Sequence, residues 1–372
     1  MIRSVLLALA FTTLLSGCER APPEHPVAQE AARAAPAPPV TCSPGLRLFE
    51  HPRLVGDAVC IPEAPTRIVD LSVHAVELMQ LSGDSVIGAK PWTTRILAKN
   101  FPYLRPDLEA ITNIGDPGDL ETIAALGPDL IFGTPHFIAG MEDQLRAIAP
   151  LLVYEASAVG VWQEGFEFVG AALNKEPLVA QLKQDYQDRI AALQSVLTER
   201  IEQPEAVEVS IARLWGSNSE MAMNLANSFS SILVAEAGLG RPASQGLSAE
   251  AARARYQTDG NVRISFERID LIDGDILFLW SEAPDDDGDV AADARYLQLL
   301  DDPVWNSLGV VRNDAVVRAG GYWVGWGFHA AHAVIDDLLE HVAGVAPASV
   351  APNPMVQFNQ EDRTERRGDT AH

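Results

Sequence analysis

Residues 175–203, KEPLVAQLKQDYQDRIAALQSVLTERIEQ, carry a long helical pattern near the middle of the chain. The larger apolar side chains recur every three to four residues, so they share one stripe of a helix. They are Leu178, Leu182, Tyr186, Ile190, Leu193, Leu197 and Ile201. At about 1.5 Å per residue the helix would be about 40 Å long, which is more than one small domain requires. The pattern therefore predicts a stiff helix that connects two lobes.

Short apolar runs alternate with helical patterns on both sides of this helix. Strands are predicted at 68–71, 86–89, 130–132 and 151–153 before it, and at 207–214, 276–280 and 315–318 after it. This alternation is typical of a mainly parallel sheet with helices on both faces. We therefore expect an α/β protein with two lobes, each a mainly parallel sheet flanked by helices, joined by one long interdomain helix. Ligands bind such sheets at the carboxyl ends of the strands, so the cleft between the lobes is the expected site.

The N-terminus carries an export signal. Residues 1–17, MIRSVLLALAFTTLLSG, place one arginine before an apolar run that ends in small residues. Cys18 follows Leu-Ser-Gly, a context that resembles a bacterial lipoprotein box, in which the signal is removed and the cysteine is acylated. Residues 18–41 are rich in Pro and Ala and are expected to form an extended tether. The alternative is ordinary secretion with a free Cys18.

Cys42 and Cys60 are the other two cysteines of the chain. An exported chain is in an oxidising compartment, and this pair leaves no odd thiol once Cys18 is acylated. We predict a Cys42–Cys60 disulfide that closes a short loop within an N-terminal segment, residues 42–66. A metal site is the alternative, and it is disfavoured because two thiolates do not by themselves complete the ligand set of a structural metal.

The composition limits the classes of partner. With 27 Lys and Arg against 51 Asp and Glu in 372 residues, the net charge is −24. This balance argues against nucleic acid or an anionic membrane as a partner, because both need a basic face. We divide the body of the chain into an N-terminal lobe at 67–160, a connecting helical region at 161–203 and a C-terminal lobe at 204–343. The Pro-rich and then charged residues 344–372 are expected to form a disordered tail.

Several segments share their order and spacing with a known family. They are PTRIV at 65–69, SVHAVEL at 72–78, DLETI at 119–123, LGPDLI at 126–131, ISFER at 264–268, DIL at 275–277, PVW at 303–305 and IDDL at 335–338. With the intervening long helix, they resemble the class III periplasmic substrate-binding proteins of ABC importers, the ferric-siderophore and cobalamin type. The likeness covers about residues 60–343.

The resemblance implies a binding lipoprotein without catalytic activity or cofactor. Such a protein captures a ferric siderophore or related iron chelate and delivers it to an ABC permease in the cytoplasmic membrane. The expected location is the periplasm, with a lipid anchor at Cys18, and the expected state is a monomer. The family also carries one exposed acidic residue per lobe that pairs with permease arginines. Glu121 matches the first position, and Glu236 lies near the second, one residue off the commoner pattern.

A bulky ferric chelate requires aromatic walls and a few hydrogen-bond donors. Aromatic and cationic residues follow the predicted strands, where loops should face the cleft. The ligand-binding candidates are Trp92, Arg95, His136, Phe137, Arg213, Trp215, Tyr322, Trp323 and Trp326. Three of the rings lie in a glycine-rich loop at 320–327 and are the main candidates for the wall, the alternative being packing against the last helix. The two arginines are expected to bind either chelate oxygens or surface carboxylates.

Other ligands remain open for this fold. His329 and His332, three apart on a predicted helix, are candidates for direct metal or haem binding together with His74 and His136. Asp116 stands where hydroxamate-binding members of the resembled family carry a ligand-binding arginine. Haem, cobalamin, a neutral or cationic ligand, or a sensor or scaffold without a transport role are therefore alternatives.

Catalytic motifs are not found in the sequence. It lacks a Gly-x-Ser-x-Gly elbow, a His-Glu-x-x-His helix and a phosphate loop ending in Gly-Lys-Ser/Thr. The acidic run DDDGD at 285–289 lacks the alternating ligands of a calcium loop, and we interpret it as a solvated loop.

Overall fold

The computed structural model describes residues 41–72, 75–155, 162–214, 220–283, 286–325 and 327–356. The predicted signal peptide, Cys18 and nearly all of the tether lie outside the described residues, as does the end of the chain. No helix in the described part of the chain is long and apolar enough to cross a membrane.

An N-terminal hairpin precedes the first lobe. Its strands, β1 (Leu46–Phe49) and β2 (Val59–Pro62), pair antiparallel. Cys42 and Cys60 form a disulfide, as predicted. The Arg47 guanidinium donates to the carbonyl oxygens of Ala171 and Ala172, each at 2.7 Å, so the hairpin is fixed to the connecting region of the chain.

The N-terminal lobe contains a five-stranded parallel sheet. Its strands are β3 (Ile68–Leu71), β4 (Val86–Ala89), β5 (Thr112–Asn113), β6 (Leu130–Gly133) and β7 (Leu151–Val153). They lie in the order β5-β4-β3-β6-β7. The helices are α1 (Ala75–Ser82), α2 (Pro91–Asn100), α3 (Arg105–Glu109), α4 (Leu120–Leu126), α5 (Pro135–Ile138) and α6 (Glu142–Ile148). The four longer strands coincide with the predicted apolar runs.

Two helices connect the lobes, α7 (Trp162–Leu173) and α8 (Glu176–Arg200). The prediction of one long helix is confirmed, because α8 has 25 residues and is therefore about 37 Å long. Its apolar stripe is buried, and one hydrophobic core joins Leu193 of α8 to Leu130 of the first lobe and Phe278 of the second. The two lobes therefore share a continuous core through the connecting helix.

The C-terminal lobe has a mixed sheet. Its strands are β8 (Val209–Leu214), β9 (Glu220–Asn224), β10 (Asn261–Ser265), β11 (Ile276–Trp280) and β12 (Val316–Ala319), in the order β10-β9-β8-β11-β12. The helices are α9 (Phe229–Glu236), α10 (Ala249–Tyr256), α11 (Asp286–Leu300), α12 (Gly309–Arg312) and α13 (Gly327–His341). The predicted strands β8, β11 and β12 are parallel, whereas β9 and β10, which were not predicted, pair antiparallel.

The predicted disordered tail is partly wrong. Residues 344–356 are folded and include α14 (Pro347–Val350). The Arg189 guanidinium on α8 donates to the Ala351 carbonyl at 2.9 and 3.1 Å. Met355 is fully buried, and its sulfur accepts from Gln80 Nε2 on α1 at 3.0 Å. The composition of this segment hid its packing because a few long-range contacts, rather than an apolar pattern, hold it in place.

Candidate ligand-binding cleft

The carboxyl ends of the two sheets meet along helix α2. This helix follows β4 of the N-terminal lobe, and its Asn100 Nδ2 donates at 2.7 Å to Glu282 Oε2, two residues after β11 of the C-terminal lobe. The loops that follow the parallel strands of both lobes therefore face each other. This is the position at which open α/β sheets bind ligands.

An aromatic pair lies beyond the carboxyl ends of two strands of the N-terminal sheet. Trp92 opens α2 and Phe137 lies on α5, after β6, with ring centroids 5.9 Å apart. The exposed His136 ring lies 5.2 Å from Phe137. Three candidates from two stretches of sequence therefore come together, because they follow the parallel strands β4 and β6, which flank β3 and end at the same edge of the sheet.

Lys90, between β4 and α2, was missed by the sequence analysis. It is fully buried, and its Nζ lies over the Phe137 ring, 2.8 Å from the centroid, and 5.0 Å from that of Trp92. Burial lowers the pKa of Lys90 to about 8, although the Asp70 and Asp116 carboxylates act to raise it. The sequence does contain a signal for Lys90 as a cleft candidate, because the residue directly follows the apolar strand β4.

Arg95 and Lys99 of α2 are bound to the other lobe. Arg95 donates to Asp289 Oδ2 at 2.8 Å and to the Ala283 carbonyl at 2.9 Å. Lys99 Nζ lies 2.7 Å from Asp289 Oδ1 and 3.3 Å from Glu282 Oε1. Burial acts to raise the pKa of Asp289, but the hydrogen bonds from Lys99 and Arg95 outweigh it and lower that pKa. Of the two roles expected for Arg95, the structure shows the carboxylate partner.

Asp289 also corrects the interpretation of the acidic run. The expected solvated loop is helical from Asp286 onward, and Asp289 is committed to the ion pairs between the lobes. Its preceding residues 284–285 lie outside the described part of the chain.

Glu282 is the centre of the contact between the lobes. It is 6% exposed, and a Cβ atom placed on Gly321 would lie 1.7 Å from its Oε2, so any larger residue at that position would displace the Glu282 carboxylate. Arg213 donates to the Glu282 carbonyl at 2.6 Å and stacks over Trp280, 4.8 Å from the ring centroid. Burial lowers the pKa of Arg213 to about 10.

The glycine-rich loop does not present Trp323 to the cleft, and this prediction is wrong. Trp323 is 0% exposed, stacks on Phe278 at 4.2 Å and donates through Nε1 to Asp337 Oδ2 at 2.6 Å. The Tyr322 hydroxyl donates to the same oxygen at 2.9 Å. Burial raises the pKa of Asp337 to about 6, although these hydrogen bonds act to lower it. Trp215 and Trp326 lie outside the described residues.

The histidine pair of α13 is part of the protein interior. The Tyr103 hydroxyl lies 2.8 Å from His329 Nδ1, and Arg189 donates to the His332 carbonyl at 3.0 Å. Burial lowers the pKa of His329 to about 3 and that of His332 well below its ordinary value. Among the described residues, no three His, Cys, Asp or Glu side chains form a group that could hold a metal ion. His74 is outside the described ranges.

The two predicted docking acids differ in their surroundings. Glu121 is exposed in the first turn of α4, whose N-terminus is capped by Asp119 accepting from Thr122 N at 2.9 Å. Glu236, at the end of α9, is half-buried and accepts a hydrogen bond from the Tyr186 hydroxyl of α8.

Comparisons with known proteins agree on one type of protein. Residues 78–322 match the profile of a family described as periplasmic binding protein. The chain is 27% identical over 302 residues to the "probable siderophore-binding lipoprotein YfiY" of Bacillus subtilis (strain 168), covering 76% of this chain and 84% of that protein. It is 32% identical over 110 residues to the iron(3+)-hydroxamate-binding protein YxeB of the same organism, covering 29% of this chain and 30% of the relative.

Solved structures show the same fold. The crystal structure of Staphylococcus aureus SirA complexed with staphyloferrin B superposes with a TM-score of 0.65 at 22% identity, covering 80% of this chain and 98% of SirA.

Proposed function

Because this chain belongs to the periplasmic binding protein family, we propose that it captures a ferric siderophore or a related iron chelate outside the cytoplasmic membrane and delivers it to an ABC permease. Members of this family bind and hand over substrates, so the chain is a binding protein and not an enzyme. The iron-chelate assignment is supported by the siderophore-binding and hydroxamate-binding names of its relatives.

One structural observation carries the proposal: the Trp92–Phe137 pair beyond the carboxyl ends of β4 and β6, on the N-terminal lobe. Ferric chelates expose broad, partly apolar surfaces, and rings that come from two different loops provide a wall of matching character. The half-buried Arg213 at the carboxyl end of β8 provides a cation on the opposite side of the cleft.

The connection between the lobes supports capture with little domain movement. The lobes share one hydrophobic core through α8, and Glu282 and Asp289 bind α2 directly. Opening the lobes widely would expose this core and break the partly buried ion pairs between them, which is costly. We therefore expect local side-chain and loop changes when the ligand enters.

Delivery and anchoring are part of the same proposal. The exposed Glu121 is suited to pair with a permease arginine, whereas Glu236 would first have to release the Tyr186 hydroxyl. The lipoprotein box places the acyl anchor on Cys18, and the tether would keep the lobes close to the membrane. The lipoprotein name of the Bacillus relative supports this anchor.

A tryptophan-fluorescence titration tests the function. Ferric hydroxamates, ferric catecholates, ferric citrate, haem, cobalamin and free iron(III) are added separately to the purified mature protein. We expect saturable quenching with at least one ferric chelate and recovery of that chelate unaltered. Saturable binding of haem or cobalamin alone, or no binding to any ferric chelate, would contradict the proposal.

A further inference from the structure

Lys90 has an ammonium group without a hydrogen-bond acceptor in the described part of the chain. The residue is 0% exposed, its Nζ has no hydrogen-bond partner in this part of the chain, and it lies 2.8 Å from the centroid of the Phe137 ring and 5.0 Å from that of Trp92. A buried ammonium normally has its three donors satisfied, because an unsatisfied buried donor is costly. The arrangement therefore leaves capacity for an acceptor that the described residues do not supply.

A second unsatisfied group lies one turn further along the chain. Thr93 is fully buried in the first turn of α2, and its Oγ1 has no hydrogen-bond partner among the described residues. Its backbone N–H lies 3.2 Å from the Lys90 carbonyl, so the two residues form one turn. No side chain caps the N-terminus of this ten-residue helix. Its partial positive charge adds to that of Lys90.

The carboxylate that acts most strongly on Lys90, that of Asp70, does not form a hydrogen bond with it. Asp70 accepts through Oδ1 from the Ser72 N–H at 2.9 Å and from the Ser72 hydroxyl. No carboxylate of the described residues is within ion-pair distance of Nζ, although Asp70 and the exposed Asp116 are close enough to favour the protonated amine. These carboxylates keep Lys90 charged and offset part of that charge. The position thus suits a single anionic oxygen better than a multiply charged group.

We propose that the Lys90 ammonium and the Thr93 hydroxyl, at the N-terminus of α2, form a subsite for one anionic oxygen of the ligand. The chemistry is that of a carboxylate or catecholate oxygen on an iron(III) chelate with net negative charge. Phe137 and Trp92 cover the ammonium, and the ligand oxygen replaces one of these ring faces as it enters. This inference rests on the proposed function and narrows its substrate class.

The test compares charge classes of ligand with matched variants. Wild type, Lys90→Met, Thr93→Val and the control Lys183→Met are titrated with ferric citrate, a ferric tricatecholate and a neutral ferric trihydroxamate. Lys183 is exposed on α8 and paired with Glu167, so its removal changes the net charge equally without touching the cleft. Thermal unfolding verifies that each variant is folded. If Lys90→Met does not fold, Thr93→Val tests the subsite in its place.

We expect Lys90→Met to weaken binding of the anionic chelate by about tenfold or more, the value of a charge-assisted hydrogen bond. Thr93→Val should weaken it by about threefold to tenfold, and Lys183→Met should leave it unchanged. The titrations with ferric citrate and with the ferric tricatecholate show whether the subsite recognises a carboxylate or a catecholate oxygen. Unchanged affinity in both cleft variants, or wild-type binding of the neutral chelate alone, overturns the subsite while the proposed function stands. Wild type that binds no chelate overturns both.

Discussion

Asn100 Nδ2 of the N-terminal lobe donates at 2.7 Å to Glu282 Oε2 of the C-terminal lobe, and the same carboxylate lies 3.3 Å from Lys99 Nζ. Glu282 is 6% exposed, so this polar contact is shielded from water. Buried contacts of this type depend strongly on each partner, because the loss of one leaves the other unsatisfied.

Removal of the Glu282 carboxylate should therefore loosen the contact between the lobes. We expect Glu282→Ala to lower the free energy of unfolding by about 2–4 kcal/mol, since Asn100 loses one of its two acceptors and Lys99 loses a counter-charge. Chemical denaturation measures this. Glu167→Ala is the control, because Glu167 pairs with Lys183 in an exposed position worth about 0–1 kcal/mol. Equal effects of the two substitutions would show that Glu282 does not hold the lobes.

Substitution of Trp323 and of Trp92 by alanine should affect different properties, stability for Trp323 and ligand affinity for Trp92. Trp323→Ala removes a fully buried ring that stacks on Phe278, and we expect a loss of about 3–5 kcal/mol of stability. Trp92→Ala removes a half-buried ring of the cleft, and we expect ligand affinity to fall by roughly 1–3 kcal/mol with little change in stability. Denaturation and chelate titration separate the two effects. Weakened binding without destabilisation in Trp323→Ala would return that ring to the ligand wall.

These examples show which parts of the structure the sequence could predict. The strands around Ile68 and Ile276 and the helix α8 have local apolar patterns, and local patterns were sufficient to find them. The sequence of strand β10 also alternates between apolar and polar residues, with Val262 and Ile264 on one face. Only Ile264 of this strand is buried, so the apolar signal is too short to identify a strand.

The site was harder to predict because its partners are distant in the sequence. Arg95 and Asp289 are separated by 194 positions, so no local pattern shows that this arginine is already paired. Trp323 has the sequence context of an exposed loop ring, and only Phe278 and Asp337 from other elements determine that it is buried. The proximity of Trp92 and Phe137 could be predicted because both follow strands of the same sheet; their role as a ligand wall stays a prediction.

Stability should fall in mild acid because α13 buries neutral imidazoles. Burial lowers the pKa of His329 to about 3, whereas an unfolded histidine has a pKa of about 6.5. A group whose folded pKa is depressed contributes stability above its unfolded pKa, and that contribution is lost as the pH falls from about 6.5 towards 3.

We expect His329 alone to cost about 2 kcal/mol of unfolding free energy between pH 7 and pH 5. His329→Gln cannot titrate, so its pH dependence should be shallower by that amount when both proteins are denatured at the two pH values. Asp337 makes an opposite contribution, because its raised pKa of about 6 favours the folded state at low pH. This contribution is the same in both proteins, so it cancels when the pH dependence of His329→Gln is subtracted from that of wild type. Parallel pH profiles of the two proteins would mean that the imidazole is not buried in neutral form.

A substitution at Glu121 can test transport separately from ligand binding. The residue is exposed in the first turn of α4, so its side chain is open to solvent. Glu121→Arg should therefore leave chelate affinity unchanged and reduce permease-dependent uptake of radiolabelled iron several-fold, because a like charge would face the permease arginine. Glu199→Arg, an equal charge reversal on the exposed surface of α8, is the control and should leave uptake intact. If Glu121→Arg cells import the chelate at the wild-type rate while the protein still binds it, this acid does not dock the permease, and a sensor without a transport role becomes the better interpretation.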